Sequence, residues 1–110
     1  MSDPLVIAPC YRFNALNYQE YLNILSQGLD GGVKPIIFDF TNVEFMDTYG
    51  LSVLIKGFKL AENAGVSLQV RGVRHEAIKS IFRVTNIERF LPVEYVNSYS
   101  NKSLKISPLP

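Results

Sequence analysis

Asp47 and Thr48 are the residues of this sequence whose types and position are most suited to chemistry. They lie in the stretch FMDTYGL, residues 45–51, which separates an apolar run from a helix-like pattern. A threonine hydroxyl can accept a phosphoryl group, which adds about −1.5 to −2 charge at neutral pH. The dipole and N–H groups of a helix start would stabilise that charge, and the Asp47 carboxylate would repel it. Thr48 is therefore a candidate phosphorylation site.

Both residues also have a structural interpretation. Threonine is a common helix N-cap, and Thr48→Ala would then cost about 0.5–2 kcal/mol of folding free energy. Asp47 is most simply an acidic residue at a helix start, where the helix dipole favours negative charge. Asp47 could instead accept a phosphoryl group itself. Sites of that kind need further acidic residues to hold a metal and a lysine on a later strand, and the sequence shows no such cluster.

The remaining reactive side chains form no catalytic pattern. His75, the single histidine, stands beside Arg74 and Glu76 and is interpreted as a solvated surface residue. Cys10, the single cysteine, is interpreted as a small buried apolar residue. The sequence contains no paired metal ligands and no glycine-rich phosphate loop. We therefore expect neither enzymatic activity nor a cofactor or metal.

Size and composition limit the class of protein. The chain has 110 residues, of which 47% are hydrophobic and 19% charged, and its net charge is +1. These values predict one domain over residues 1–98 with a flexible C-terminal tail over 99–110. They favour neither a nucleic-acid nor a membrane partner, since the basic excess is small and no apolar run reaches the roughly 20 residues of a spanning helix. One cysteine cannot close an intrachain disulfide, so we expect a cytoplasmic location.

Apolar periodicity predicts an α/β domain. Strands and helices alternate, as in domains that pack helices against a largely parallel sheet. In such sheets reactive groups gather beyond the carboxyl ends of the strands, and FMDTYGL follows a strand directly. Asn14 or Asn17 could cap the first helix. The predicted helices are 17–29, 49–64 and 74–84, and the predicted strands are 4–8, 34–40, 66–72 and 92–96.

The long helix that starts in FMDTYGL carries an apolar stripe at helical spacing. Its members are Leu51, Leu54, Ile55, Phe58 and Ala61. The strand at 34–40 is almost continuously apolar, which is typical of a strand covered on both faces. We therefore expect the stripe to pack on that strand, with Leu54, Ile55 and Phe58 against Ile37 and Phe38 or their neighbours.

The stretch KPIIFDFTNVEFMDTYGLSVLIKGFKLAENAGVSLQVRGVRHEAIKSIFRVTNIERFLPV resembles the STAS domain of anti-sigma-factor antagonists. The resemblance covers about residues 10–96 and combines the strand, the FMDxxGL turn, a helix ending in AG, the strand LQVRGV and the segment IERFLPV. It implies a STAS-like mixed sheet of about four strands packed with three or four helices. It also implies that Thr48 is phosphorylated by a partner serine/threonine kinase that is the anti-sigma factor, and that a cognate phosphatase reverses this.

The same resemblance places the partner-binding surface around Thr48. Its implied members are Asp47, Tyr49, Gly50, Leu51 and Asn14. Gly50 would keep the approach to Thr48 open, and the N–H groups of Tyr49 to Leu51 would frame the acceptor.

The sequence departs from the family pattern at three points. Tyr49 stands where a serine or threonine is usual, which could alter partner choice, and Asn14 stands where an aspartate is common. The short N-terminus leaves room for one strand before the first helix, where the family often has two. Tyr18 and Tyr49 are further interface candidates, since tyrosine is enriched at protein interfaces.

Three functions are compatible with the sequence. The first is a regulatory module that binds a kinase or anti-sigma partner and is switched by phosphorylation of Thr48. The second is a STAS-like scaffold or homo-oligomerisation module without the switch. The third is a domain that binds a small anion at the helix N-terminus, residues 48–51.

Overall fold

A four-stranded parallel sheet with helices packed against it forms the centre of the computed structural model, which describes residues 3–32 and 34–96. The strand order is β1-β3-β5-β6, and two further short strands, β2 and β4, pair in parallel with each other. The elements in chain order are β1 Leu5–Ile7, β2 Arg12–Phe13, α1 Tyr18–Asp30, β3 Ile36–Asp39, β4 Phe45–Met46, α2 Thr48–Ala64, β5 Leu68–Val73, α3 Glu76–Thr85, a 3₁₀ helix Ile87–Arg89 and β6 Val93–Tyr95.

The predicted α/β class, the four strands of the main sheet and the three helices are confirmed. The sheet is not mixed, however, because every strand pair in it runs parallel. We also expected a single strand before the first helix, and the described chain has two, since β2 follows β1 and pairs with β4. The predicted tail at 99–110 lies outside the described residues, and the domain boundary at residue 98 stays a prediction.

The strands form as the apolar pattern predicts. In β5 the buried residues Leu68 and Val70 alternate with exposed neighbours, so that one face of the strand points into the core. In β3, Ile36, Ile37 and Phe38 are all buried, as expected for a central strand. The largest side chains of the core are aromatic and fully buried: Phe13, Phe38, Phe40 and Phe82.

Helix α2 packs on the core through a face that overlaps the predicted stripe. Leu54 and Ala61 of the stripe are buried, and Leu51 and Phe58 pack half-buried against the core. Val53 and Leu54 are fully buried, and an added Cβ at Gly57 would lie 3.0 Å from Leu25 on α1. A β-carbon there would also lie 3.6 Å from the ring of Phe38, so α2 lies directly over β3. Gly57 therefore lets α2 approach the core closely, at a position that no hydrophobic pattern can indicate.

The expected packing of Ile55 on the sheet is wrong. Ile55 is 46% exposed, and Phe58 is only half-buried, with its ring 6.0 Å from that of Phe90. Ile37 also differs from the expectation, because it alternates with Ile36 and Phe38 along β3 and so points to the opposite face of the sheet. Of the expected contacts, burial of Leu54 in the cluster that contains Phe38 and packing of Phe58 against that cluster are confirmed.

Helices α2 and α3 each end at a residue in the left-handed conformation. Gly65 ends α2 with φ 74°, and its N–H donates to carbonyls of the last turn. Asn86 ends α3 with φ 57°. Glycine and asparagine are the residues that tolerate this conformation best, and each fixes the direction in which the chain leaves its helix.

Candidate functional site

Asp47 is the N-cap of α2. Its backbone is extended, with φ −109° and ψ −171°, and its Oδ1 accepts hydrogen bonds from the N–H groups of Tyr49 and Gly50 at 2.9 and 3.0 Å. Thr48 is the first residue of the helix proper. The interpretation of Asp47 as a helix-start acid is therefore confirmed, and the alternative in which Thr48 caps the helix is wrong. Aspartate and threonine both cap helices well, so the sequence alone could not separate them.

The second carboxylate oxygen of Asp47 joins the helix start to the loop before α1. Oδ2 accepts a hydrogen bond of 3.1 Å from the N–H of Ala15. Asn14 shapes this loop, because its side-chain oxygen accepts from the N–H of Leu16 at 3.0 Å and its own N–H donates to Asn17 Oδ1 at 3.0 Å. The structure thus brings Asn14 close to the site, as expected, although its amide serves the loop and the contact to Asp47 comes from Ala15. Asn17 occupies the N-cap position of α1 without a capping bond from its side chain.

Thr48 presents an uncommitted hydroxyl. Its side chain is exposed, and within residues 3–32 and 34–96 its oxygen has no hydrogen-bond partner. Two nearby hydroxyls, in contrast, form hydrogen bonds to the helix backbone. Ser52 Oγ donates to the Tyr49 carbonyl at 2.6 Å, and Thr85 Oγ1 donates to the Ile81 carbonyl at 2.8 Å. Of these three, Thr48 is the hydroxyl that can be modified without breaking a helix contact.

The backbone donors beside Thr48 are already engaged. The N–H groups of Tyr49 and Gly50 bind the Asp47 carboxylate, and the N–H of Leu51 donates to the Asp47 carbonyl at 3.0 Å. These are the groups that we expected to frame a phosphate. They are instead occupied by Asp47, which leaves none of the three available to an added anion and removes the main support for an anion-binding function here.

Gly50 faces the core, and the expectation that it keeps the approach to Thr48 open is wrong. The residue is buried, and an added Cβ would lie 2.3 Å from the Phe13 carbonyl oxygen and 2.8 Å from Met46 Cγ. Such distances are far below normal contact, so only glycine lets α2 start this close to β2. Gly50 therefore contributes to the site indirectly, by fixing the position of the helix start.

An apolar groove of about 360 Å³ borders Thr48 on the side of α3. Val84 of α3 is 84% exposed at this groove. The full lining is Met46, Asp47, Thr48, Leu51, Ser80, Ile81, Val84 and Thr85. The sequence indicated Leu51 as part of the site but missed α3. The apolar residues Ile81 and Val84 near the end of α3 indicate a part of the site only once α3 is known to pack beside α2.

Tyr49 and Tyr18 stack on the other side of the helix start. Their ring centroids are 5.0 Å apart with an interplanar angle of 46°, and Tyr49 is 49% exposed. Leu16, in the loop that binds Asp47, is also exposed. The two tyrosines that the sequence suggested as interface residues thus form one aromatic surface next to Thr48.

The other candidate residues lie outside this arrangement. His75 Nε2 is 3.6 Å from Glu44 Oε2 at the surface, and Cys10 is exposed, so its interpretation as a buried apolar residue is wrong. The hydroxyl and N–H of Thr41 hydrogen-bond Asp39 and lower the pKa of that carboxyl.

In the described part of the chain no three potential ligands cluster as a metal site would require. Nor does any helix of that part have the length and apolar character to cross a membrane.

Solved structures of other proteins share this fold. TM1081, a candidate anti-sigma factor antagonist from Thermotoga maritima, gives a TM-score of 0.77 at 19% identity for its crystal structure, covering 92% of this chain and 86% of that chain. Its NMR structure gives 0.74 at 18% identity, covering 96% and 82%. The anti-sigma factor antagonist SpoIIAA in its unphosphorylated form gives 0.67 at 16% identity, covering 92% and 88%. At these identities the likeness shows the fold.

Sequence comparison extends this result to the family. A search of curated proteins returned no significant match. The family model of the STAS domain, in contrast, matches residues 6–99, a span that includes every strand and helix from β2 to β6 and most of β1. This match confirms the resemblance seen in the sequence: the chain belongs to the STAS domain family.

Proposed function

We propose that this protein is a non-enzymatic regulatory module of the cytoplasm that binds a serine/threonine kinase or anti-sigma partner and releases it when Thr48 is phosphorylated. The observation that carries the proposal is the exposed, unbonded Thr48 hydroxyl at the start of a helix that Asp47 caps independently. A hydroxyl in this position can gain or lose a phosphoryl group while the helix keeps its cap. The anti-sigma factor antagonists with the same fold, one described in its unphosphorylated form, support this choice.

The modification itself needs chemistry from the partner alone. The kinase would transfer the γ-phosphoryl group of ATP to Thr48 Oγ1, forming an O–P bond as the bond to ADP breaks, and the hydroxyl proton would pass to the kinase. A phosphatase would add water at phosphorus and restore the hydroxyl. This chain supplies the acceptor and its position.

Phosphorylation would change the surface more than the fold. The dianion would lie beside the Asp47 carboxylate, and the next three N–H groups of the helix, those of Tyr49, Gly50 and Leu51, are already engaged. It would therefore remain hydrated and repelled by Asp47, with little gain from the helix start.

The apolar groove beside Thr48 explains why that charge would release a partner. Leu51, Ile81 and Val84 line the groove, and a partner that covers them also covers Thr48. Burying an unpaired phosphate under the partner would carry a large desolvation cost, whereas the neutral hydroxyl carries little. The unmodified protein is thus the binding form.

The test combines phosphorylation and binding. The protein is incubated with ATP and each candidate serine/threonine kinase of the source cell, and phosphopeptides are mapped by mass spectrometry. Binding to the same kinases is measured by calorimetry for wild type, Thr48→Glu and Thr48→Val, the last removing the hydroxyl while keeping the side-chain shape. We expect phosphate on Thr48, wild-type binding by Thr48→Val and weak binding by Thr48→Glu.

Each contrary result identifies another function. Binding without phosphate, and without an effect of Thr48→Glu, would indicate the scaffold. Self-association of the pure protein in sedimentation, without kinase binding, would indicate an oligomerisation module. Phosphate on another residue would disprove the assignment of Thr48.

A further inference from the structure

Arg12 lies between two exposed aromatic rings. Its guanidinium carbon is 5.4 Å from the ring centroid of Tyr11 and 5.8 Å from that of Phe45, both within the range of cation–π attraction. Tyr11 is 51% and Phe45 46% exposed, and Arg12 is exposed as well. These three residues, called the Arg12 patch below, form a continuous aromatic and cationic surface.

The short β2–β4 ladder builds the Arg12 patch. Arg12 pairs directly with Phe45, while their neighbours Phe13 and Met46 also pair and are both buried. Since side chains alternate along a strand, burial of one pair places Arg12 and Phe45 together on the outward face. The carbonyl of Tyr11 accepts hydrogen bonds from the N–H groups of Glu44 and Phe45, which holds the second ring beside the first.

The charge of Arg12 is not compensated within the part of the chain that the structure describes. The ion pairs found there join His75 to Glu44 and Lys79 to Glu76, and neither includes Arg12. The two rings restrict the guanidinium but leave its N–H edges open to solvent. A guanidinium held in this way is prepared to bind a carboxylate through two parallel hydrogen bonds, which a lysine could not form.

The Arg12 patch lies close to Thr48 along the chain. Phe45 is three residues before Thr48, so their Cα atoms are at most about 11 Å apart. A protein interface covers about 800 Å² on each partner, and one that covers Thr48 would reach the patch. Tyrosine, arginine and phenylalanine are also the residue types that are enriched in such interfaces.

We infer that the Arg12 patch is a second anchor of the partner surface, where Arg12 binds an aspartate or glutamate side chain of the partner protein. The inference rests on the proposed function, because the partner is the one whose binding Thr48 controls. Glu44, beside Phe45, adds negative charge that disfavours a polyanion such as nucleic acid, and the net charge of +1 agrees. One carboxylate bound at the open N–H edge of the guanidinium fits this charge pattern.

Calorimetry with the kinase that phosphorylates Thr48 tests the inference. Arg12→Ala should weaken binding about tenfold or more, the effect expected of an interface anchor. Arg12→Lys, which keeps the charge and loses the paired hydrogen bonds, should lose most of the same affinity, and Phe45→Ala should weaken binding at least about threefold. The control is Lys59→Ala, an exposed cation on α2 that lies about 16 Å from Thr48 along the helix axis. It should bind within about twofold of wild type.

The carboxylate is identified by substituting exposed acidic residues of the kinase with their amides. One such kinase substitution should weaken binding to the wild-type protein and cause no further loss of affinity with the Arg12→Ala variant. In high salt, the losses of affinity caused by this substitution and by Arg12→Ala should both become smaller. If Thr48→Glu weakens binding while Arg12→Ala binds like wild type, the inference is wrong and the proposed function stands. If Arg12→Ala weakens binding and no acidic residue couples to it, the carboxylate assignment is wrong. If no kinase binds, or Thr48→Glu binds like wild type, the proposed function fails and the inference fails with it.

Discussion

Replacing Asp47 by alanine should destabilise the protein more than replacing Thr48. The change removes the acceptor for the N–H groups of Tyr49 and Gly50, which costs about 0.5–2 kcal/mol as a lost N-cap. It also removes the bond from the Ala15 N–H, worth about 0.5–1 kcal/mol at this solvent-accessible position. The total is about 1–3 kcal/mol, which corresponds to a fall in Tm of about 4–8 °C per kcal/mol in a domain of this size.

Urea titration followed by circular dichroism, with a thermal scan, measures this difference. Asp47→Asn is the matched control, because asparagine keeps the oxygen that caps α2 and places an NH2 group against the Ala15 N–H, so its loss should be limited to the about 0.5–1 kcal/mol of that bond. Thr48→Ala should change the free energy of unfolding by less than about 0.5 kcal/mol, as an exposed residue without contacts. A larger loss for Thr48→Ala than for Asp47→Ala would refute the assignment of the cap and, with it, the free hydroxyl.

Three further predictions concern the surrounding fold. Gly50→Ala should destabilise the protein by about 1–3 kcal/mol in urea titration despite the better helix propensity of alanine, because the added Cβ would lie 2.3 Å from a β2 carbonyl oxygen; a stabilised variant would contradict this. Phe40→Ala should cost about 3–5 kcal/mol and Phe58→Ala about half as much, because the first ring is fully buried and the second half-buried. Equal losses would show that Phe58 belongs to the core. Thr41→Val should raise the pKa of Asp39 towards its usual value in an NMR titration. Because the folded pKa is lowered, this contact stabilises the protein fully above the ordinary carboxyl pKa, and the stabilisation is lost as pH falls through the lowered value. An unchanged Asp39 titration would exclude the contact.

Apolar periodicity was sufficient to predict the helices. The residues predicted as 49–64 form α2 over Thr48–Ala64, and the other two helices agree within about two residues at each end. Periodicity identified the buried face of α2 only in part, because Leu54 and Ala61 are buried as predicted while Ile55 of the same stripe is exposed. The core side is built around Gly50 and Gly57, and glycine gives no hydrophobic signal.

The β2–β4 pair could not be predicted from the local sequence. Each strand has two residues, too few to show an alternating pattern. The pair depends on tertiary contacts, above all on the fully buried Phe13, whose ring lies 5.9 Å from that of Phe40. Missing this pair also meant missing the Arg12 patch, since Arg12 and Phe45 are far apart in the sequence and meet only through the ladder.

The place of the candidate site was predictable, and the roles of its residues were only partly so. FMDTYGL follows a strand and starts a helix, as expected, and Thr48 is exposed there. Asp47 and Thr48 are both good capping residues and follow each other in the sequence. Which of them caps α2 depends on the backbone angles, and the residue types alone do not determine those angles. Ala15 and α3 reach the site because segments that are distant in the sequence pack together. The pattern of a single segment does not predict such packing.

Peptide mapping of the phosphorylated protein tests the central claim most directly. The protein is incubated with ATP and the serine/threonine kinases of its source cell, and Thr48→Val is treated in parallel. The account predicts the gain of one HPO₃ on the peptide that contains Thr48, no gain in Thr48→Val, and loss of kinase binding by the modified protein. Phosphate on a different residue, or a Thr48-phosphorylated protein that binds the kinase as tightly as the unmodified one, would contradict it.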